Sequence, residues 1–329
     1  MIQSAAVKRL LPIALVCLVG SALVGCKKEE STDLPICLAE VAGDEAQESQ
    51  QGQLPPEIWF QVLLKNYNRK NGLVTAPIKD CSGKLVEAQH PPEVATCLAK
   101  VEEGAPLPER PLVPDDLVIT ETDDGRQLVW VKARYFADGD ALGPIAITEW
   151  TKRGIAVRSI GALRAHANRA RMRLEPMGAG KVLVVESDLC DPENPKKCER
   201  VMRLVPAIGD RFDEKAMVLE DGSCVGPAEF ALHGITDMPQ PNGVVRSLEL
   251  SRTVDFTDGN VVMNEAVVIK DKDPSKPDEP AKVYRNASVQ RPLGLGKTGI
   301  VTKVGVYEQL LAEHGSVREQ PAPQNPAEK

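Results

Sequence analysis

Much of this chain is a succession of short apolar runs bounded by turn residues, as expected of strands. The pattern persists from residue 117 onward. Leu128-Val129-Trp130-Val131 and Tyr135-Phe136 lead into the turn Asp138-Gly139-Asp140. Residues 145–150 and 155–157 flank Thr151-Lys152-Arg153-Gly154, which predicts a hairpin with glycine at its turn. Apolar runs at 182–186 and 201–205 bracket a proline-containing loop, and further runs lie at 216–219, 229–232, 244–250, 261–269, 283–289 and 299–306. Each is short and bounded by Gly, Pro, Asp or Asn. That spacing predicts an all-β fold, an antiparallel sandwich or barrel-like domain. Residues 306–314 stop at Gly315, which predicts a short C-terminal helix.

Two segments carry competing periods. Ile160, Leu163, Ala167, Ala170 and Leu174 share one helical face, yet 169–175 alternates strictly, with Ala170, Met172 and Leu174 on one side. Near the N-terminus, Asn71-Gly72 is a strong hairpin signal and predicts 58–67 paired with 73–79. The alternative is a helix over 58–64, for which Pro55-Pro56-Glu57 suits the start. Pro106, Pro108, Pro111 and Pro114 make 104–114 extended and unfit for a central strand. They mark a boundary between a small N-terminal β module (55–116) and the main domain (117–314).

The first 26 residues break the pattern. Lys8 and Arg9 precede residues 10–24, which are apolar apart from Ser21. This run falls short of the roughly 20 residues that span a bilayer and fits a secretory leader. It ends in Leu23-Val24-Gly25-Cys26, which resembles the lipobox of bacterial lipoproteins. The resemblance covers the leader alone, and the chain as a whole looks like exported lipoproteins of no particular activity. It implies cleavage before Cys26 and acylation of both its thiol and its new amino group. Such chains anchor because each buried CH₂ contributes about 0.8 kcal/mol. The implied address is the cell envelope, and Lys27, where Asp would favour the inner membrane, points to the outer membrane of a Gram-negative organism. Residues 1–25 are then a signal peptide and 26–54, rich in Glu, Gln, Ser and Asp, a lipidated flexible tether. The proline-bearing end, 315–329, is expected to be disordered.

Loss of Lys8 and Arg9 with the leader takes the formal charge from −7 to −9. An acidic chain is a poor partner for nucleic acid, whose binding rests on phosphate neutralisation. Aromatic residues, at 4%, are too few for base- or sugar-stacking platforms. Of eight cysteines, Cys17 leaves with the leader and Cys26 takes lipid. Cys37, Cys81, Cys97, Cys190, Cys198 and Cys224 remain, an even set that reads as disulfides in an exported protein. Cys190 and Cys198 bracket the 191–197 loop and would close a hairpin. Cys224 is left to an N-terminal cysteine, and Cys81–Cys97 is the second expected pairing. Zinc is the rival use, but there is no CxxC pair.

Catalytic signatures such as HExxH, GxSxG and SxxK are absent from the sequence. Gly294-Leu295-Gly296-Lys297-Thr298 ends like a phosphate loop, but Arg291 stands where its first glycine is needed, so it reads as a turn. The histidines, His90, His166, His233 and His314, are scattered. Asp138 and Asp140 offer two carboxylates to calcium, although turn chemistry explains both. The remaining constellation is basic: Arg158, Arg164, His166, Arg169, Arg171 and Arg173. On a strand over 169–175, Arg169, Arg171 and Arg173 would share a face and form a candidate anion-binding stripe for phosphates or carboxylates. The competing account is a solvated face neutralised by acids such as Glu175 and Glu186. The chain is therefore expected to be a lipid-anchored envelope protein that binds or supports, with no catalytic residue, metal or cofactor. Its expected partners are the membrane and an envelope polysaccharide, lipopolysaccharide or another envelope protein. The alternative is an exported hydrolase whose carboxylates, distant in sequence, meet in a cleft.

Overall fold

The computed structural model describes residues 34–41, 54–87, 97, 104–191, 193–194 and 196–314. The leader, Cys26, most of the tether, His90 and the 315–329 tail lie outside the described residues. Among the described residues the N-terminal part comprises β1 (Cys37–Ala39), α1 (Pro56–Leu63), β2 (Tyr67–Asn68) and β3 (Leu73–Val74). A 3-10 turn at Pro114–Asp116 leads to β4 (Leu117–Glu121), β5 (Gln127–Val131), β6 (Arg134–Tyr135), β7 (Asp140–Thr151) and β8 (Gly154–His166). Next come β9 (Arg171–Met177), β10 (Gly180–Cys190), β11 (Cys198–Ile208) and β12 (Arg211–Phe212). The last third holds β13 (Ala216–Val218), β14 (Cys224–Pro227), β15 (Glu229–Ala231) and β16 (His233–Pro239). It continues with β17 (Val245–Thr257), β18 (Asn260–Lys272), β19 (Lys282–Leu295) and β20 (Ile300–Val301), and closes with α2 (Val306–His314).

The fold is all-β, as the spacing of short, turn-bounded runs predicts, with the short C-terminal helix in place. The larger sheet runs β4-β5-β7-β8-β12-β11-β10-β9, with β1 added on β8, β6 on β7 and β15 on β11. It curls into a nearly closed barrel. Side chains from both ends of that order meet in a single core: Leu128 and Trp130 of β5, Ile147 of β7 and Leu163 of β8 touch the set that includes Met172 of β9, Leu183 of β10 and Val205 of β11. A flat sheet would keep its two ends apart.

The barrel wall is covered outside as well. On one side Phe60 and Leu63 of α1 pack with Val129, Val131, Ala146 and Ile160. On the other, Val182, Val184, Met202 and Leu204 pack with Phe230 of β15 and with Val261, Met263 and Ile300 of a second sheet. Burial on both faces explains why β5 reads as an unbroken apolar run rather than an alternation. The second sheet, β14-β13-β20-β19-β18-β17-β16, is antiparallel except between β13 and β20. One face of β18 points inward through Val261, Met263, Glu265, Val267 and Ile269, and α2 covers its outer half by setting Leu310 against Leu248, Leu250 and Ile269.

Several expectations are corrected. Residues 58–64 are mostly helical rather than a strand, because Trp59, Phe60, Val62 and Leu63 are buried around the helix and Pro56 occupies its first turn. Asn71-Gly72 does turn, with Gly72 at φ 70°, but the strands it joins are two residues each. The helical spacing through 160–174 yields to β8 and β9, since β9 pairs with β10 along its whole length. The 299–306 run shrinks to β20.

All six cysteines are joined: Cys37–Cys81, Cys97–Cys224 and Cys190–Cys198. The hairpin bridge is as expected, and Cys224 does take an N-terminal partner. Cys81–Cys97 is not formed. β1 lays Cys37 along β8 beside the 81–83 turn, and Cys97 lies instead over β13 and β14, near the carbonyls of Met217 and Gly226. The extended 104–114 strap is fastened by a fully buried Asp116, which accepts from both Arg110 terminal nitrogens at 2.8 and 2.7 Å and from the Val113 amide at 2.8 Å.

Gly143 of β7 is needed where two backbones nearly touch: a Cβ there would sit 1.6 Å from the Val131 carbonyl oxygen. Gly143→Ala is expected to lower the unfolding free energy by about 3 kcal/mol. Gly294→Ala, whose added carbon meets nothing within 4 Å, should be near neutral in the same denaturation assay.

Candidate functional site

The barrel has a seam between β8 and β11. β12 bridges it with two residues, contacting β8 through the single parallel pair Arg211↔Ile160 and β11 through Ala207↔Phe212 and Ile208↔Arg211. Toward the far end of β8 the edge of β11 is taken by β15 instead. Charged side chains fill this gap. Arg164 donates from Nε to Asp140 at 3.0 Å and from Nη2 to Asp138 at 2.7 Å, with its guanidinium 4.0 Å over the Phe136 ring. Arg203 donates from Nε to Glu229 at 2.7 Å and from Nη1 to the Arg164 carbonyl at 2.8 Å, and Glu214 lies 3.5 Å away.

Each charge here has a local answer. Burial pushes the Asp140 carboxyl up, the neighbouring Asp138 adds to this, and Arg164 opposes it. Burial works against the Arg203 cation, but Glu229 and Glu214 outweigh it and hold the proton more tightly. Asp138 also accepts the Gly104 amide at 3.1 Å and the Asp140 amide at 3.0 Å, while Gly139 takes φ 90° at the turn. The pair considered for calcium is thus committed to arginine and to its own turn.

Beside the seam opens a cleft of about 250 Å³, walled by Lys84, Val86 and Glu87 on one side and Ile160, Arg164 and Asp213 on the other. Arg211 ties the walls together by donating to Asp80 at 2.7 Å and to Ser82 at 3.3 Å.

The expected arginine stripe is only partly one row. Arg169 lies in the turn before β9 and pairs with Asp188 at 2.8 Å. Arg173 sits between Glu175 at 2.8 Å and Glu186 at 2.7 Å. Arg200 of β11 joins the same acids, Asp188 at 3.1 Å and Glu186 at 3.7 Å. Arg171 is exposed and makes no ion pair among the described residues. The acids that the sequence raised as neutralisers are therefore in contact, and Arg200 and Asp188 join them through strand register, which spacing does not reveal.

A second charged centre has no counterpart in the sequence reading. Under α2, fully buried Glu265 accepts from Arg252 Nε at 2.7 Å, Arg291 Nη1 at 3.2 Å and the Tyr307 amide at 2.9 Å. Burial raises its carboxyl, but the Tyr307 amide and the two arginines prevail and hold it below the usual range. A Cβ on Gly305 would fall 2.0 Å from Glu308 and 2.7 Å from Arg291, so the chain enters α2 through glycine. The available signal was a charge at a core-facing position in each of β17, β18 and β19.

The other sequence motifs resolve simply. Gly294 and Leu295 end β19, and residues 296–299 form the turn to β20, closed by Gly296 N–H to the Gly299 carbonyl at 2.8 Å. Among the described residues no cluster of His, Cys, Asp and Glu is placed to hold a metal, and no helix is long and apolar enough to cross a membrane.

Asp138→Asn would turn an amide NH₂ toward Arg164 or the Gly104 amide and is expected to cost about 2–3 kcal/mol. Asp140→Asn should cost less. Because folding raises the Asp140 pKa, the native state binds its proton more tightly, and stability falls as pH rises from the unfolded to the folded value. Denaturation midpoints from about pH 4 to about pH 7 should show that decline flattened in Asp140→Asn. Comparison with protein families, with curated proteins and with solved structures finds no match to this chain.

Proposed function

We propose that this protein is a lipid-anchored component of the cell envelope whose β-rich body acts by binding or as structural support. The carrying observation is the use of all six cysteines beyond Cys26 in three disulfides, an economy suited to an oxidising compartment outside the cytoplasm. The sequence Leu23-Val24-Gly25-Cys26 supports export with acylation, and Lys27 supports the outer membrane as destination. The charges of the body favour support and recognition over chemistry. Asp138 and Asp140 are spent on Arg164, and the basic stripe is threaded with Asp188, Glu186 and Glu175. The outward face of β17–β19 is broad, shallow and polar, with Ser251, Thr253, Asn264, Ser288 and Gln290 around it. Such a surface suits hydroxyl-rich polysaccharide or another envelope protein.

Cys26→Ala is expected to move the protein from the membrane fraction to the soluble fraction; persistence in the membrane would remove the anchor from the account. Thiol titration of the denatured mature protein, cleaved before an acylated Cys26, should find no free thiol, and two or more would remove the oxidising compartment.

A further inference from the structure

Cys37 is already part of the folded body, so the span between the proposed lipid and that body is short. β1 pairs with β8 through Cys37↔Val157 and Ala39↔Ile155, the Ile36 amide donates to the Val157 carbonyl at 2.9 Å, and Cys37 is bonded to Cys81. Ile36 lies ten residues after Cys26. That length reaches about 35 Å fully extended and about 17 Å as a flexible coil. A globular body of this size is about 50 Å across. The leash is therefore shorter than the body, so a lipid at Cys26 would keep the side bearing Cys37 from turning to the pole farthest from the bilayer.

The segment that carries Cys81 is basic in an acidic protein. Residues 54–87 hold five basic and three acidic side chains, against a net charge of −7 for the whole chain. Three of the basic ones gather at the turn that carries Cys81. The Lys65 amide donates to the Lys79 carbonyl at 3.1 Å, Lys79 bridges to Leu85, and the Lys65 ammonium lies 3.1 Å from where a Cβ on Gly83 would stand. Lys65 and Lys84 are exposed, and none of the three makes an ion pair among the described residues. Asp80, the acid among them, is buried and taken up by Arg211, Ser82 and the Lys84 amide. The second sheet lies on the opposite wall of the barrel, against β10 and β11.

We propose that the surface around the Cys37–Cys81 bridge, with Lys65, Lys79 and Lys84, docks on anionic phospholipid headgroups and holds the second sheet and α2 away from the membrane. The proposal rests on the lipid-anchor reading. Three unpaired ammonium groups kept near a negative bilayer supply the attraction, which acts within a Debye length of about 8 Å at physiological salt.

The test uses full-length acylated protein in phosphatidylcholine vesicles with and without phosphatidylglycerol. A fluorescent non-canonical residue at Leu85 or at Ser288, both exposed, donates energy to a headgroup dye. Transfer from position 85 should be several-fold higher than from 288 and should rise further with phosphatidylglycerol. Lys65→Glu/Lys79→Glu/Lys84→Glu should abolish that rise, with circular dichroism showing the fold retained. Lys84→Glu alone, at an exposed position, serves if the triple variant misfolds and should reduce the rise. Equal transfer from both positions, or no response to phosphatidylglycerol or to charge reversal, overturns the docking surface. Co-flotation with the vesicles, read separately, reports the anchor: flotation without the transfer difference defeats this proposal alone, whereas no flotation defeats both.

Discussion

A barrel wall buried on both faces is the constraint from which the rest of the structure follows. Its inner surface meets itself across the core around Trp130, Leu163 and Leu183, and its outer surface is covered by α1 on one side and by the second sheet on the other. Strands so enclosed have few places for polar groups. Most of β5, β7 and β8 is accordingly apolar or small, and the close approach of β5 to β7 demands Gly143.

Charge collects where this enclosure stops. One place is the seam beside β12, where two residues of pairing leave a gap that Arg164, Arg203 and their carboxylates fill. The other is the midline of the second sheet, between the half that packs on the barrel and the half that packs under α2. There Glu265 accepts from two arginines and from the first turn of the helix. Buried ion pairs of this kind bring little net stability, because desolvation offsets most of the Coulomb gain, yet breaking one partner is costly. At both places one charged residue adds polar ties between elements already in contact: Arg164 to the 138–140 turn, and Glu265 to the entry to α2.

The disulfides divide along the same lines. Cys190–Cys198 closes a hairpin that register already holds, whereas Cys37–Cys81 and Cys97–Cys224 join segments 44 and 127 residues apart. Cross-links over such spans constrain the unfolded chain more, by about 4 and 5 kcal/mol against about 2–3 for the hairpin on the chain-entropy account. The first fastens the N-terminal module, whose strands β2 and β3 are two residues each, and the second ties Cys97 to β14.

Local pattern along the chain determined a great deal: the β class, the 145–157 and 182–205 hairpins, the C-terminal helix and the Cys190–Cys198 bridge. These depend on neighbours in sequence, where a period of two or a loop of a few residues is itself the physical cause. Tertiary structure alone decided the rest. Residues 58–63 became helical because the outer wall of β5 and β8 offered an apolar surface to a helix buried nearly all round. Cys81 found Cys37 because β1 adds to the edge of β8, and Arg200 reached Asp188 because β10 and β11 are in register. Arg252, Glu265 and Arg291 stand at core parity on three different strands, and their charges are tolerable only together, which no local pattern could express.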